Sequence, residues 1–182
     1  MKGENKLKNK LYLLFCLFFL CLTFGISKAE ENNSIVFLFL VPSEKANISI
    51  EYVKMFNSSE EEIATFYSAD PDSSKNCSFV EPPVGGHWGN ITEVEGIKCR
   101  NINETASEMS YSCFVINLPE PIKEDMYFSV KYFDSEGELI SVGYVRGSEF
   151  VKLGQIYRSG TNKWVEDIFE IPATAIKKEQ NL

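Results

Sequence analysis

Short apolar segments separated by turn-forming residues are the feature of this sequence that most restricts its fold. Residues 47–56 alternate, with Ile48, Ile50 and Tyr52 predicted to share one face, which is the period of a half-buried strand. Residues 35–41 are continuously apolar and end at Pro42, which is typical of a central strand buried on both faces. Further segments of strand type cover residues 63–67, 111–118, 127–133, 139–145, 150–157 and 164–171.

The number and spacing of these segments predict an all-β fold, an antiparallel sandwich of about eight to ten short strands. Residues 134–138, Asp-Ser-Glu-Gly-Glu, are predicted to form the hairpin turn between the two strands that flank them. The segment 164–171 is ambiguous, because Trp164, Ile168 and Ile171 also fit helical spacing.

Residues 116–146 contain Leu118-Pro119, a polar turn, Tyr127 and an alternating segment at 129–132. This pattern resembles the corner before the penultimate strand of fibronectin-type-III and immunoglobulin-like sandwiches. In those families a Tyr near the start of the strand donates a hydrogen bond back to the upstream backbone. The resemblance implies that type of sandwich and that role for Tyr127.

The first 29 residues are typical of a cleaved secretory signal peptide. Four lysines precede an uncharged apolar segment of 14 residues at 11–24, and Ser27-Lys28-Ala29 is a small-x-small cleavage site. A membrane-spanning helix needs about 20 apolar residues, so a permanent anchor is the weaker interpretation. We therefore predict a signal peptide at 1–29 and a single domain at 30–182. The predicted location is extracellular, with the ER lumen as the alternative.

The charge of the chain excludes two classes of partner. The whole chain has a formal net charge of -8. Removal of residues 1–29 leaves 13 basic and 25 acidic residues, a net charge of -12. Binding to phosphates needs clustered Lys and Arg, so we expect no nucleic-acid partner and no anionic membrane surface. No second apolar stretch of spanning length follows, which predicts no membrane anchor.

Six Asn-x-Ser/Thr sequons support secretion independently and predict N-glycosylation. Asn76 is the weakest of them, because its middle residue is Cys77. No sequon lies in residues 104–182, so we expect a glycan-free contact surface there. The six acceptors are Asn32, Asn47, Asn57, Asn76, Asn90 and Asn103.

Three cysteines remain after Cys16 and Cys21 leave with the signal peptide. An odd number in a secreted chain indicates a free thiol or an intermolecular bridge. Proximity in the sequence favours a Cys99–Cys113 disulfide, with Cys77 unpaired or linking two copies in a dimer. Pairing of Cys77 with either of the others stays open. The spacings match no zinc motif, so no metal site is expected.

The sequence predicts neither a catalytic site nor a cofactor. A Ser-His-Asp or Cys-His site would require His87, the only histidine, and no Gly-x-Ser-x-Gly motif occurs. Gly85-Gly86 is not followed by Gly-Lys-Ser/Thr, which excludes a phosphate loop. The acidic clusters at residues 60–62 and 134–138 are interpreted as solvated charge or turns, rather than as general acids or calcium ligands.

The favoured interpretation is a non-catalytic module that binds a receptor or surface protein. His87 and Trp88 are candidate binding residues, because exposed aromatic residues on sandwich loops often anchor a partner. A Trp88 that folds back over the sheet edge is the alternative. Two other functions stay open: a lectin-like domain that uses the loop Gly85–Asn90, and a protease inhibitor that uses residues 81–88. The residue inventory disfavours a hydrolase.

Overall fold

Among the residues that this computed structural model describes, the secondary-structure elements are eleven β-strands and a 3-10 turn at Pro71–Ser73. The structure describes residues 34–41, 48–80, 86, 88–102, 110–118, 123–146 and 149–173, so the predicted signal peptide lies outside the description. The strands are β1 Ser34–Val41, β2 Ile48–Asn57, β3 Glu62–Tyr67, β4 Cys77–Phe79, β5 Trp88–Val94, β6 Ile97–Ile102, β7 Ser110–Asn117, β8 Met126–Phe133, β9 Ile140–Arg146, β10 Glu149–Ile156 and β11 Trp164–Ile171.

The strands form two antiparallel sheets packed over a shared core, which confirms the predicted all-β sandwich. Sheet A has the order β10-β9-β1-β7-β4, and sheet B has the order β11-β8-β2-β6-β5. Strand β3 also belongs to sheet B, where it pairs with the second half of β2. The ambiguous last segment is a strand, since β11 pairs with β8 along all eight of its residues.

Strand pairing combines local hairpins, β2–β3 and β9–β10, with a nested set of pairs. Strand β1 pairs with β9, β2 with β8, β4 with β7, and β5 with β6. The chain therefore forms one long antiparallel ribbon, whose successive segments alternate between the two sheets. The ribbon closes at Glu95-Gly96, where φ angles of 49° and 79° suit a two-residue hairpin turn of type I′.

The predicted hairpin turn at residues 134–138 is wrong, because β8 lies in sheet B whereas β9 lies in sheet A. The segment instead crosses from one sheet to the other. Arg158 holds it in place by donating from Nε to the Ser135 carbonyl and from Nη2 to the Glu136 carbonyl, both at 2.9 Å. A Cβ at Gly137 would lie 2.1 Å from Arg158 Nη1, so a larger residue there would displace the guanidinium.

Asp134 begins this crossing and is 2% exposed, so its interpretation as part of a solvated acidic turn is wrong. Its carboxylate accepts hydrogen bonds from the backbone N–H groups of Ser159, Gly160 and Thr161 at 2.8–3.2 Å. The Thr161 hydroxyl adds a bond at 2.7 Å. These donors lie between β10 and β11, so Asp134 ties together two connections that each run between the sheets.

Strand β1 is buried on both faces, as its continuous apolar sequence predicted. Its alternate residues lie in the core between the sheets, while Val36 and Leu38 on the opposite face are only 8% and 3% exposed. The inward side chains of β1 are Ile35, Phe37, Phe39 and Val41.

Four nearly parallel phenylalanine rings join the two sheets. Phe37 of sheet A stacks on Phe128 of sheet B, with ring centroids 4.4 Å apart and planes 7° apart. Phe114 of sheet A stacks on Phe66 of sheet B at 4.6 Å and 4°. Such pairs contribute about 0.5–1.5 kcal/mol beyond the burial of their apolar area.

We predict that Phe114→Ala lowers the free energy of unfolding by about 3–5 kcal/mol, because it leaves a cavity and removes a ring from the stack. Urea denaturation of the full chain measures this change. Tyr157→Ala is the control, since Tyr157 is 67% exposed, and it should change stability by less than about 0.5 kcal/mol. Equal stability of the two variants would contradict the proposed core.

A second prediction concerns Asp134 and pH. Burial by itself would raise the pKa of Asp134, but hydrogen bonds from Thr161, Gly160 and Ser159 outweigh it and hold the pKa at about 2. Because this pKa is lower than in the unfolded chain, the stabilisation is complete above about pH 4 and is lost as pH falls through about 2.

The Asp134→Asn variant should therefore lose about 2 kcal/mol of stability at neutral pH and much less near pH 2. Denaturation curves at several pH values test this expectation. Glu136→Gln is the matched control, because Glu136 lies exposed in the same crossing. A stability difference between Asp134→Asn and the unmodified chain that does not vary with pH would count against the buried charge.

Candidate functional site

The outer face of sheet B collects partly exposed aromatic and charged side chains. Side chains alternate along a strand, so the residues that alternate with core-facing ones in β2, β3, β8 and β11 point away from the core. We call this group the sheet B patch. It consists of Tyr52, Lys54, Phe56, Tyr67, Tyr127, Lys131, Glu166, Ile168 and Glu170.

Tyr52 joins the patch because of a β-bulge. The sequence predicted that it shares a face with Ile48 and Ile50, both of which are buried in the core. The pairing of β2 with β8 shifts register between Ile50 and Tyr52, so one extra residue, Glu51, is accommodated there. The shift turns Tyr52 to the outer face, and the predicted alternation fails from this residue onward.

The Tyr52 ring lies at the centre of a set of charged contacts. Its hydroxyl donates to Glu166 Oε2 at 3.2 Å. Lys54 Nζ lies 4.5 Å from the ring centroid and Lys131 Nζ lies 5.5 Å from it, which gives two cation–π contacts. Burial, followed by the charge and hydrogen bond of Glu166, raises the pKa of Tyr52 to about 12. Tyr52 is therefore a neutral hydrogen-bond donor across the physiological pH range.

Further contacts order the remainder of the patch. Lys131 forms an ion pair with Glu51 at 2.8 Å. Phe56 stacks on Tyr127, with ring centroids 5.6 Å apart, so the ring that the family resemblance singled out contacts a neighbouring strand. Tyr67 meets Tyr52 edge to face at 6.1 Å. These contacts hold the aromatic rings in fixed orientations before any partner binds. Binding to them therefore costs little side-chain conformational entropy.

Ile168 is the most exposed apolar side chain of the patch. It is 61% exposed and lies on β11 between Glu166 and Glu170, two residues away on either side. A large apolar side chain among ordered polar groups is the arrangement of an interface anchor with a polar rim.

The loop that the sequence proposed for binding does not expose its tryptophan. Trp88 is 7% exposed, which is the folded-back alternative and not the exposed anchor. Its Nε1 donates to the Cys113 carbonyl at 2.9 Å, and its ring packs against Phe39 and Phe66. His87 and Gly85 lie outside the described residues, while Gly86 bridges to Ser112.

The three described cysteines are free, so the predicted Cys99–Cys113 disulfide is absent. Cys99 lies in sheet B and Cys113 in sheet A, and stacked sheets are about 10 Å apart whereas a disulfide needs Cα atoms within about 7 Å. Cys77 is separated from Cys99 for the same reason. Cys77 pairs with Ile116 on the core face of sheet A, whereas Cys113 alternates to the outer face.

Three of the predicted glycan acceptors fall within the described residues. Asn90 is exposed on β5. The Asn57 side chain accepts from the N–H groups of Ser59 and Glu61 at 3.1 and 2.9 Å, and so closes the turn after β2. Asn76 has φ 51° and donates from Nδ2 to the Ile63 carbonyl at 2.7 Å. Asn32, Asn47 and Asn103 lie outside the described residues.

Comparison with known proteins gives no family for this chain: no family model, curated protein or solved structure matches it. Within the part of the chain that the structure describes, no helix has the length and apolarity to cross a membrane. The same residues contain no group of three or more His, Cys, Asp or Glu side chains placed to hold a metal ion.

The buried thiols generate a chemical prediction. Burial raises the pKa of both Cys77 and Cys113 to about 12 and also raises the pKa of Cys99. At pH 8 a thiol of pKa 12 has about 1,000-fold less thiolate than one of pKa 9, so all three should react slowly with an aromatic disulfide reagent.

Peptide mapping by mass spectrometry, after labelling in native buffer and in concentrated guanidinium chloride, measures each cysteine separately. We expect labelling of the three sites only in denaturant, and one electrophoretic band with or without reductant. A peptide pair linked through any two of these cysteines would contradict the structure.

Proposed function

We propose that this chain is a secreted, N-glycosylated, acidic β-sandwich that acts as a non-catalytic protein-binding module. The sheet B patch is its contact surface. The observation that supports this proposal is Ile168, which is 61% exposed beside fixed tyrosine rings and paired charges. Protein interfaces are enriched in tyrosine and organised as an apolar centre within a polar rim. The partner is a receptor or surface protein, since the predicted signal peptide directs the chain out of the cell.

The positions of the sequons agree with this choice of surface. Strands β8 and β11 come from residues 104–182, which contain no sequon. Asn90 lies on β5, at the opposite edge of sheet B from β11. Asn57, at the end of β2, is the described sequon whose glycan would border the patch. Glycans at these positions would leave β11 open to a partner.

The competing functions have less support. Sugar binding through the loop Gly85–Asn90 relied on an exposed Trp88, and that ring is buried. An inhibitor loop at residues 81–88 falls mostly outside the described residues. A disulfide-linked dimer would need an accessible thiolate, whereas burial raises the pKa of all three described thiols.

The immunoglobulin- or fibronectin-III-like type of sandwich is not confirmed. In the immunoglobulin order the first two strands are neighbours in one sheet, whereas β1 and β2 belong to different sheets here. A rolled antiparallel ribbon, the principle shared by jelly-roll folds, describes the nested pairing better. We propose this class of connectivity for the chain.

The contact surface can be tested with two matched substitutions at opposite edges of sheet B. Ile168 on β11 and Ile91 on β5 are 61% and 51% exposed. Secreted, glycosylated protein serves as bait for extracellular and surface fractions. We expect Ile168→Arg to reduce capture of the partner about tenfold or more, which corresponds to at least about 1.4 kcal/mol, while Ile91→Arg leaves capture unchanged.

Capture of no protein by the unmodified bait would contradict the binding module. Equal capture by both variants would show that the sheet B patch is not the contact surface. Sequencing the N-terminus of the secreted bait tests processing in the same experiment, with a new terminus at Glu30 as the expected result.

A further inference from the structure

Strand β11 is an outer strand whose pairing is regular along its whole length. It pairs with β8 from Trp164 to Ile171 without a register shift. Among the described residues, the other outer strands are shortened or irregular. Strand β4 has three residues, and the pairings of β10 and β5 contain register shifts. The pairing of β3 with β2 also shifts register, at Ile63, and Lys75 bridges to β3 at Thr65.

This difference matters because an outer strand exposes a row of unpaired N–H and C=O groups. Natural sheets usually block such edges with short strands, bulges or charges. The fold blocks four of its edges by length or geometry and leaves β11 straight. Strand β10 of sheet A approaches β11 where Gly154 packs against the Phe169 ring. Within the described residues no strand pairs with β11 on its outer side, so one more strand can continue sheet B there in regular register.

The side chains of β11 restrict what that additional strand can be. Glu166, Ile168 and Glu170 alternate on the outer face, and each is exposed. Residues directly opposite each other on neighbouring strands have Cβ atoms about 4.5–5.5 Å apart and interact strongly. A strand beside β11 thus needs a basic residue, an apolar residue and a second basic residue at alternate positions.

The same geometry disfavours a second copy of this chain. In an antiparallel pair of β11 strands centred on Ile168, Glu166 of each copy would face Glu170 of the other. Like charges directly opposite each other are destabilising. The net charge of -8 on the chain adds long-range repulsion between copies and attracts a basic segment.

We propose that β11 binds an extended segment of a partner protein, with the pattern basic-x-apolar-x-basic, as the next strand of sheet B. The backbone bonds of the added strand provide the affinity, and the side chains of Glu166, Ile168 and Glu170 provide the selectivity. The proposal rests on the proposed function in one respect: it takes the partner to be a protein.

The test uses the full chain and a synthetic peptide, Thr-Lys-Thr-Val-Thr-Lys-Thr, with blocked ends. Heteronuclear NMR titration locates binding, and amide hydrogen exchange reports new backbone bonds. We expect chemical-shift changes confined to β11 and β8, and slower exchange of alternate β11 amides. A peptide with Glu in place of both Lys should bind at least about tenfold more weakly, since two facing charge pairs change sign.

Charge reversal on the protein provides the second arm. The double variant Glu166→Lys, Glu170→Lys should lose the lysine peptide about tenfold or more and gain the glutamate peptide, by the same pair of contacts. Asp72→Lys is the matched control, because Asp72 is an exposed acid in the 3-10 turn that follows β3. It should change the affinity for either peptide less than about twofold.

Three results would overturn the proposal: no binding of the lysine peptide at millimolar concentration, shifts that lie away from β11, or equal affinity for the double variant and the unmodified chain. These failures are separable from failure of the proposed function. If Ile168-dependent capture of a protein succeeds while the peptide does not bind, the module stands and the added strand is wrong. If the peptide binds β11 and no protein is captured, the edge of β11 can accept a strand but the proposed protein-binding function is wrong.

Discussion

The stacked phenylalanine rings between the sheets are the contact on which the remaining structure depends. Phe37 on Phe128 and Phe114 on Phe66 join strands that are distant in the sequence, so they fix the two layers as well as their spacing. The hairpins β2–β3, β5–β6 and β9–β10 pair locally, whereas β1–β9, β2–β8 and β4–β7 pair only when distant parts of the chain meet. The loop entropy of this long-range closure has to be offset by burial, to which the fully buried rings contribute.

Buried polar side chains fix segments of the chain that lie between strands. Asp134 joins the β8–β9 crossing to the β10–β11 crossing through backbone donors. Elsewhere in the sandwich, the buried Ser68 hydroxyl donates to the Ile50 carbonyl and accepts from the Arg100 N–H at 3.0 Å. Arg100 Nε donates to the Ser68 carbonyl at 2.7 Å. This group lies where β2 changes partner from β6 to β3, so side-chain bonds replace the interrupted ladder.

The sequence predicted the features that depend on local pattern. Apolar segments between turns identified eight of the eleven described strands and missed β4, β5 and β6. Continuous apolarity identified β1 as central and buried on both faces. The predictions that failed depend on register or on distant partners. A polar Gly-containing segment such as 134–138 has the same composition whether it turns a hairpin or crosses between sheets. Only the burial of Asp134 against the β10–β11 connection separates the two.

The candidate site was not predicted because it also depends on strand register and on contacts between distant residues. A single bulge after Ile50 moved Tyr52 from the expected core face to the outer face, and no residue in the segment marks that bulge. Trp88 was misjudged because it lies in a segment rich in Gly and Pro, although its ring reaches Phe39 and Phe66 on other strands. The cysteine pairing failed because Cys99 and Cys113 lie in different sheets, which their proximity in the sequence does not reveal. The sequon-free half of the chain did point to β8 and β11, whose outer side chains belong to the sheet B patch.

The most direct measurement for this account is the set of cross-strand nuclear Overhauser contacts between backbone protons, since the sheet B patch exists only if the nested pairing is right. The account predicts contacts between Phe37 and Tyr144 of β1 and β9, and between Val53 and Val130 of β2 and β8. A ladder of contacts between β8 and β9 across residues 134–139 would instead establish a sequential hairpin. That result would contradict the rolled ribbon and the binding surface derived from it.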